Sequence, residues 1–441
     1  MATQVETELW GEETRKAIEN FQVSGEPIPV PVIRWLGRIK AAAARTNGEL
    51  GLLDGELAER IATAADAVAA GEYDDQFPID VFQTGSGTSS NMNANEVIAN
   101  LAGDPAHPND HVNMGQSSND VFPSAVHLAA LGEVTERLLP ALEGLAASLE
   151  AKAEEFEPFV KAGRTHLMDA VPITLGQEFG GYAAQARLGT ERVTATLVHV
   201  GQIPLGGTAT GTGLNTHREF AERVRAKLSA ETGLEISEPA DRFEAQANRD
   251  ALAELSGALK VVAVSLIKIA GDIALMGSGP RDGFGELRLP ELQKGSSIMP
   301  GKVNPVIPEV VIQVGDQVIG NDATITAACS QGQFELNVRV PVIARNILDS
   351  IELLSSASRL LDEKVVQGVE ADVEVLERHA EATLATATAL NMHIGYDRAA
   401  EIVKKAAETG RHLREVAIEM GVDEEIVDKA LDHRRLAHPH D

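Results

Sequence analysis

From about Ala245 to Met276 the chain is apolar around most of a helical projection, and its most apolar part, Leu259 to Met276, still carries Lys260, Lys268 and Asp272. A helix without a continuous polar face has to be enclosed by other helices. The three charges make a buried bundle helix the better reading than a membrane span. From Leu131, the apolar residues Val134, Leu138, Leu142, Leu145 and Leu149 recur three or four positions apart, with a kink expected at Pro140. Two further long helical patterns run from about Pro308 to Ile325 and from about Pro341 to Leu361. Aromatic residues make up only 4% of a chain that is 44% apolar, which favours helix bundles over sheet sandwiches. The fold class is therefore mainly α. At 441 residues the chain exceeds what one core sustains, so two or three structural units are expected. The part from about Asp372 reads as a small terminal domain of shorter, charged helices with breaks at Gly410 and Gly421. Long helices so sparsely charged need partners from other copies of the chain, which predicts a homo-oligomer.

The formal charge of −28, from 66 acidic and 38 basic residues, argues against a nucleic-acid partner. Arginine outnumbers lysine, and acidic residues crowd apparent helix surfaces such as Asp372 to Glu381. This pattern points to a halophilic protein in a salt-loaded cytosol, where screening over about 3 Å at 1 M salt makes such charge tolerable. Met1 to Trp10 is polar and acidic, without the cationic start and apolar run of a secretory signal, so a cytoplasmic location away from membranes is expected. Cys329 is the only cysteine, which excludes an intramolecular disulfide and a Cys-based zinc site. No His-Glu-x-x-His or comparable ligand spacing occurs, so no metal is expected. Leu205 to Asn215 lacks the Gly-Lys-Ser/Thr ending of a nucleotide loop, and no Gly-x-Ser-x-Gly elbow is present. What remains is acid–base chemistry on a small anionic substrate, with no cofactor.

Five loops rich in Gly, Ser, Thr and Asn carry the candidate chemistry: Thr84 to Asn95, His107 to Asp120, Gly163 to Asp169, Gly206 to His217 and Gly295 to Asn304. The segment Gly295-Ser-Ser-Ile-Met-Pro-Gly-Lys-Val-Asn304 has a glycine at each end of its first seven residues, the pattern of a mobile anion-binding lid. Ser296 and Ser297 offer hydroxyls, Lys302 a positive charge and Asn304 an amide, with Glu309 following. That set suits a carboxylate whose charge grows during reaction. Gly163-Arg-Thr-His-Leu-Met-Asp169 places His166 in a polar turn ahead of a helix expected to start near Pro172. Ser86-Gly-Thr88 and Ser117-Ser-Asn119 are hydroxyl and amide clusters that either hold carboxylate oxygens or serve as helix caps and turns.

Taken together these segments resemble the aspartase/fumarase superfamily and, within it, class II fumarase, over nearly the whole chain. The resemblance rests on Gly295 to Pro305, Thr84 to Asn93, Gln116-Ser-Ser-Asn-Asp120, Gly163-Arg-Thr-His166, Gly211-Thr-Gly-Leu-Asn-Thr-His217 and Ala389-Leu-Asn-Met-His-Ile-Gly-Tyr-Asp397, in that family's order and spacing. It implies a three-domain fold, here 1–113, 114–370 and 371–441, whose central bundle of five long helices forms a twenty-helix core in a homotetramer. Each active site would draw on three subunits. By the same resemblance Ser296 is the base, and Ser297, Lys302 and Asn304 bind substrate, Lys302 also stabilising the developing charge. Glu309 pairs with His166, which handles the water. Ser86, Thr88, Ser117, Ser118, Asn119 and Thr165 complete the contacts, and His107, Asn109 and Asp110 look like the family's second dicarboxylate site. The implied reaction is reversible anti hydration of fumarate to L-malate, a step of the tricarboxylic acid cycle, without cofactor. Val306-Ile-Pro-Glu309 and Arg15 to Asn20 look more like aspartase, which keeps conversion of L-aspartate to fumarate and ammonia as the alternative. Gln116 to Asn119 and Ala389 to Asp397 follow fumarase.

Overall fold

The computed structural model describes residues 8–438. Helix accounts for 66% of the protein, and the chain divides into two compact units. The first comprises the residues up to Pro140, Gly189–Ala263 and Val314–Ser356; the second comprises Ala141–Leu188, Val264–Gln313 and the residues from Ala357 onward.

The first unit opens with α1 (Glu12–Asn20), α2 (Val30–Glu49), α3 (Gly55–Ala70), α4 (Thr88–Ala102) and α5 (Ser118–Glu133). On α2, Val32, Leu36, Ile39 and Ala43 recur at helical spacing and are fully buried. They pack with Ile61, Ala65 and Val68 of α3 in the core. Burying each of the larger side chains contributes about 1.5–3 kcal/mol relative to exposure. Asp54 starts α3 by accepting hydrogen bonds from the Glu56 and Leu57 amides at 3.1 and 3.0 Å.

The helix foreseen from Leu131 through Leu149 is unbroken in hydrogen-bonded helical backbone but not uniform in pitch. After α5 the residues Val134–Leu138 form a wider turn, and α6 (Leu139–Phe156) follows. Pro140, the second residue of α6, has no N–H for the Glu136 carbonyl and its ring would crowd that oxygen in a regular helix; the wider turn just before it relieves both conflicts.

Beyond α7 (Leu175–Val200) and α8 (Phe220–Thr232), the long pattern from Ala245 to Met276 is two helices rather than one: α9 (Arg242–Ala247) and α10 (Asp250–Met276). Asn248 between them is extended, with φ −108° and ψ 169°. The buried Arg249 side chain turns back to donate to the carbonyl oxygens of Ala245 and Gln246 at 2.6 and 3.2 Å, closing the last turn of α9. The patterns near Pro308 and Pro341 become α11 (Val306–Cys329) and α12 (Val340–Lys364). Polar pairs set the register of these apolar helices within the first unit. Ser256 and Lys260 of α10 donate to Asp322 of α11 at 2.8 and 2.5 Å, and Asn321 donates to Asp349 of α12 at 2.8 Å.

In the second unit, β1 (Val160–Thr165) and β2 (Met168–Thr174) form an antiparallel hairpin, and β3 (Leu287–Arg288) pairs with β4 (Glu370–Ala371). The helix expected to start near Pro172 is α7, which begins at Leu175; Pro172 itself lies in β2, a strand of the hairpin. Pro172 is tolerated there because a two-stranded ribbon is all edge. Phe156 and Phe179 meet edge-to-face at 5.0 Å, and Tyr182 donates to Asp272 at 2.8 Å. The terminal helices α13 (Val373–Ala382), α14 (Asn391–Ile394), α15 (Tyr396–Thr409), α16 (Leu413–Glu419), α17 (Glu424–Ala430) and α18 (His433–Leu436) follow. Leu390, Ile402, Val416 and Val427 lie at the centre of a core of their own, and α15 and α16 stop at Gly410 and just before Gly421, as expected. Among the described residues no helix is long and apolar enough to cross a membrane.

Candidate active site

In the first unit, Ser86 and Thr88 share a hydrogen bond of 2.7 Å between their hydroxyls at the start of α4. Gly87 separates them with φ +77°, and a Cβ there would lie 2.2 Å from the Phe122 ring, so only glycine allows the turn to seat against α5. Ser117 caps α5: its hydroxyl accepts from the Asn119 amide at 3.2 Å, and its own amide donates to Asp120 at 2.8 Å. Asn91 of α4 donates to Ser118 Oγ at 3.0 Å, and Asn119 donates to the Ala209 carbonyl at 3.0 Å. Ser86, Thr88, Ser117, Ser118 and Asn119 thus sit on two adjoining helix starts in one unit.

Asp120 fastens this cluster to the glycine-rich loop that follows Leu205. Its second carboxylate oxygen accepts from the amides of Gly206 and Thr208, both at 2.9 Å. Burial pushes its carboxyl up to about 6, while the backbone N–H donors of Ser117, Gly206 and Thr208 work the other way. Nearby, Lys40 is fully buried, donating to Gln116 at 3.2 Å. Burial pushes Lys40 down to about 7, with the charge of Asp120 opposing the fall.

In the second unit, Thr165 pairs with Met168, which makes His166 and Leu167 a two-residue hairpin turn. Both have positive φ, 57° and 60°, and both are exposed. Two left-handed residues in a row are what a two-residue turn between right-twisted strands demands, here with side chains that glycine or asparagine usually replaces. The hairpin is anchored just below this turn. Arg164 grips Glu286 with two hydrogen bonds of 3.1 and 2.6 Å and lies over the Phe284 ring at 4.4 Å. Lys161, only 2% exposed, bridges Glu178 at 2.5 Å and Glu286 at 3.0 Å. His379 Nδ1 of α13 lies 3.1 Å from Glu286 Oε1, an oxygen it shares with Arg164. Burial alone would raise the Glu286 carboxyl, but Arg164, Lys161 and His379 hold it down at about 2.

The lid lies in the same unit. Gly295 N donates to the Lys302 carbonyl at 3.0 Å, and a Cβ on Gly295 would lie 2.0 Å from that oxygen, so the loop closes on itself only with glycine there. Ser296 Oγ accepts from two backbone amides, Ile298 at 3.2 Å and Met299 at 3.1 Å. Asn304 donates to the Gly295 carbonyl at 2.7 Å and so clasps the base of the loop. Ser297, Lys302 and Glu309 are exposed. Among the described residues of the one chain, no ion pair joins His166 to Glu309. His107, Asn109 and Asp110 lie on a separate exposed turn of the first unit, where His107 Nδ1 accepts from the Asp110 amide at 3.2 Å.

A family model described as Lyase matches residues 2–320, and one described as Fumarase C C-terminus matches residues 387–438. A class II fumarate hydratase of Corynebacterium efficiens is 53% identical over 439 residues, covering 97% of this chain and 93% of the relative. The chain belongs to the class II fumarases. A class II fumarase relative from Halobacterium salinarum is 52% identical, over 93% of this chain and 90% of its own. The crystal structure of class II fumarase from Schistosoma mansoni matches with a TM-score of 0.97 and 37% identity, covering 99% of this chain and 97% of that one.

The supporting residues Asp120, Lys40, Arg164, Lys161, Glu286 and His379 were not singled out from sequence. Asp120 and Arg164 stand inside the motifs quoted for class II fumarase, which was an available signal. Glu286 and His379 lie 122 and 215 positions from Arg164, and nothing local marks them.

Proposed function

We propose that this chain interconverts fumarate and L-malate, with Ser296 as the base. The observation that carries the proposal is the pair of backbone N–H bonds to Ser296 Oγ. A hydroxyl oxygen that accepts two amide hydrogens is stabilised as an alkoxide, the form needed to take a weakly acidic proton. The alkoxide removes the proton from C3 of malate, and the C–H electron pair moves into the adjacent carboxylate to give an aci-carboxylate dianion. Lys302 and the lid amides meet that added charge. As the dianion collapses to the C2–C3 double bond, the C2 hydroxyl leaves and takes a proton from the His166 side of the site to depart as water. Base and acid on opposite faces give anti stereochemistry. Ser86, Thr88, Ser117, Ser118, Asn119, Thr165, Ser297 and Asn304 hold the carboxylates and water. In this reading His166 and Glu309 pair between subunits of a homotetramer, each site using three chains. Apolar side chains open to solvent on α7, α10 and α11, among them Val198, Val264 and Ile319, support such an assembly. His107, Asn109 and Asp110 form the second dicarboxylate site. We place the protein in the cytoplasm, serving the tricarboxylic acid cycle, and read its charge as halophilic.

The test is ultraviolet absorbance of fumarate on purified protein in high KCl, with L-malate and L-aspartate offered separately. Fumarate from malate alone, lost in Ser296→Ala at unchanged oligomer mass, is the expected result. Fumarate from aspartate alone would make the protein an ammonia-lyase, the reading favoured by Val306 to Glu309.

A further inference from the structure

A cavity of about 520 Å³ opens among the terminal helices of the second unit, lined by Lys429 of α17, Arg435 of α18 and His393 of α14. Three different elements send a basic side chain to one space, and none of its lining residues is acidic. In a chain with 66 acidic residues this is a departure. Three other cavities, typified by Glu254, Glu352 and Asp428, are each lined by several carboxylates. Several exposed cations elsewhere in the terminal segment are paired, among them Arg414 with Glu424 and Asp428, and Lys405 with Glu419. Lys429 and Arg435 have no ion-pair partner among the described residues. The hydroxyl-bearing residues Thr386 and Thr388 also line the cavity and add donors. Val171 and Pro172 of β2, with Leu436, add apolar lining to it.

We propose that this cavity is a binding site for a small organic anion that presents a phosphate or carboxylate to Lys429, Arg435 and His393 and lays an apolar body against Val171, Pro172 and Leu436. The volume suits a ligand of that size, since small-molecule sites span roughly 300–1,000 Å³. The guanidinium of Arg435 can take two anionic oxygens at once and Lys429 adds a point charge. The site lies apart in sequence from the lid and from the loops of the first unit, so its occupancy is measurable without turnover.

The experiment is isothermal titration of the full-length protein with phenyl phosphate, benzoate and inorganic phosphate in the KCl buffer used for the activity assay. Phenyl phosphate or benzoate should bind, and whichever is tighter tells phosphate from carboxylate ligands. Lys429→Gln/Arg435→Gln should weaken binding roughly ten-fold or more, the loss that accompanies removal of charge-assisted contacts. Lys429→Gln alone, an exposed change that leaves the fold intact, should weaken it several-fold. Ser296→Ala should leave it unchanged. No binding to the unaltered protein, equal binding to the double variant, or loss in Ser296→Ala would each overturn the proposal. Inorganic phosphate binding as tightly as phenyl phosphate would overturn the apolar half of it.

Discussion

Replacing Glu286 with glutamine keeps the shape of the side chain and removes the one charge on which Lys161, Arg164 and His379 converge. Glu286 is fully buried and Lys161 nearly so; Lys161 keeps Glu178, but Arg164 loses its carboxylate partner at a site with little access to water. The fall of the Glu286 carboxyl from its usual 4.5 to about 2 corresponds to roughly 3 kcal/mol of native-state stabilisation. Breaking a buried pair costs about 3–5 kcal/mol, which agrees. Because the folded-state pKa lies below the unfolded one, this stability is present above about pH 4.5 and drains away as the pH falls toward 2. Urea unfolding followed by circular dichroism at fixed protein concentration measures it. Glu286→Gln should lower the stability at pH 7 by about 3 kcal/mol, and the gap to the unaltered protein should narrow as the pH drops below 4.5. Turnover should fall as well, since Arg164 loses its grip one residue from Thr165 and two from His166. An unchanged unfolding midpoint at pH 7, or a gap that does not narrow in acid, refutes the reasoning.

Lys40 is held down at about 7, so the unfolded chain binds the extra proton between there and 10.5, and the unaltered protein should gain stability over Lys40→Met as the pH climbs through that window; parallel unfolding curves at pH 7 and 10 would contradict this. Leu167→Gly should raise stability by roughly 0.5–1 kcal/mol, the relief of a left-handed leucine less the entropy of an added glycine, read as a shift in melting temperature. Refolding Ser296→Ala together with His166→Asn should restore part of the malate-dependent absorbance that neither has alone, because mixed tetramers assemble intact sites; a wholly inactive mixture removes the shared-site reading. Added KCl should lower the apparent KM for malate by screening repulsion from a chain of charge −28, and a KM that rises steadily with salt counts against it.

The long helices were legible because their apolar spacing is sustained over many turns, as at Leu131 to Leu149 and in α11 and α12. Their interruptions were less so. The break at Asn248 depends on Arg249 folding back onto carbonyls, a side-chain choice that periodicity does not carry. The β1–β2 hairpin escaped notice because its strands are short, include Gly163 and Pro172, and turn at His-Leu rather than at Asn-Gly. Lid and helix-start residues were legible through their motifs, since glycine and hydroxyl residues at fixed offsets follow from backbone geometry. Glu286 was not, because a buried carboxylate is defined by partners distant in sequence, and a lone glutamate between Gly285 and Leu287 carries no local mark.

The pairing of β1 with β2 also limits how this stretch of chain can change in length. Side chains alternate faces along a strand, so neighbours such as Arg164 and Thr165 have opposite outlooks. Adding or deleting one residue between Val160 and Arg164 would turn the guanidinium to the other face, bringing Gly163 or Thr165 respectively to the position from which Arg164 meets Glu286. Substitutions here can be graded and compensated one at a time, whereas a single-residue insertion or deletion would disable anchor and turn together. Variation in length among descendants of this chain should therefore gather in other loops and spare residues 160–174.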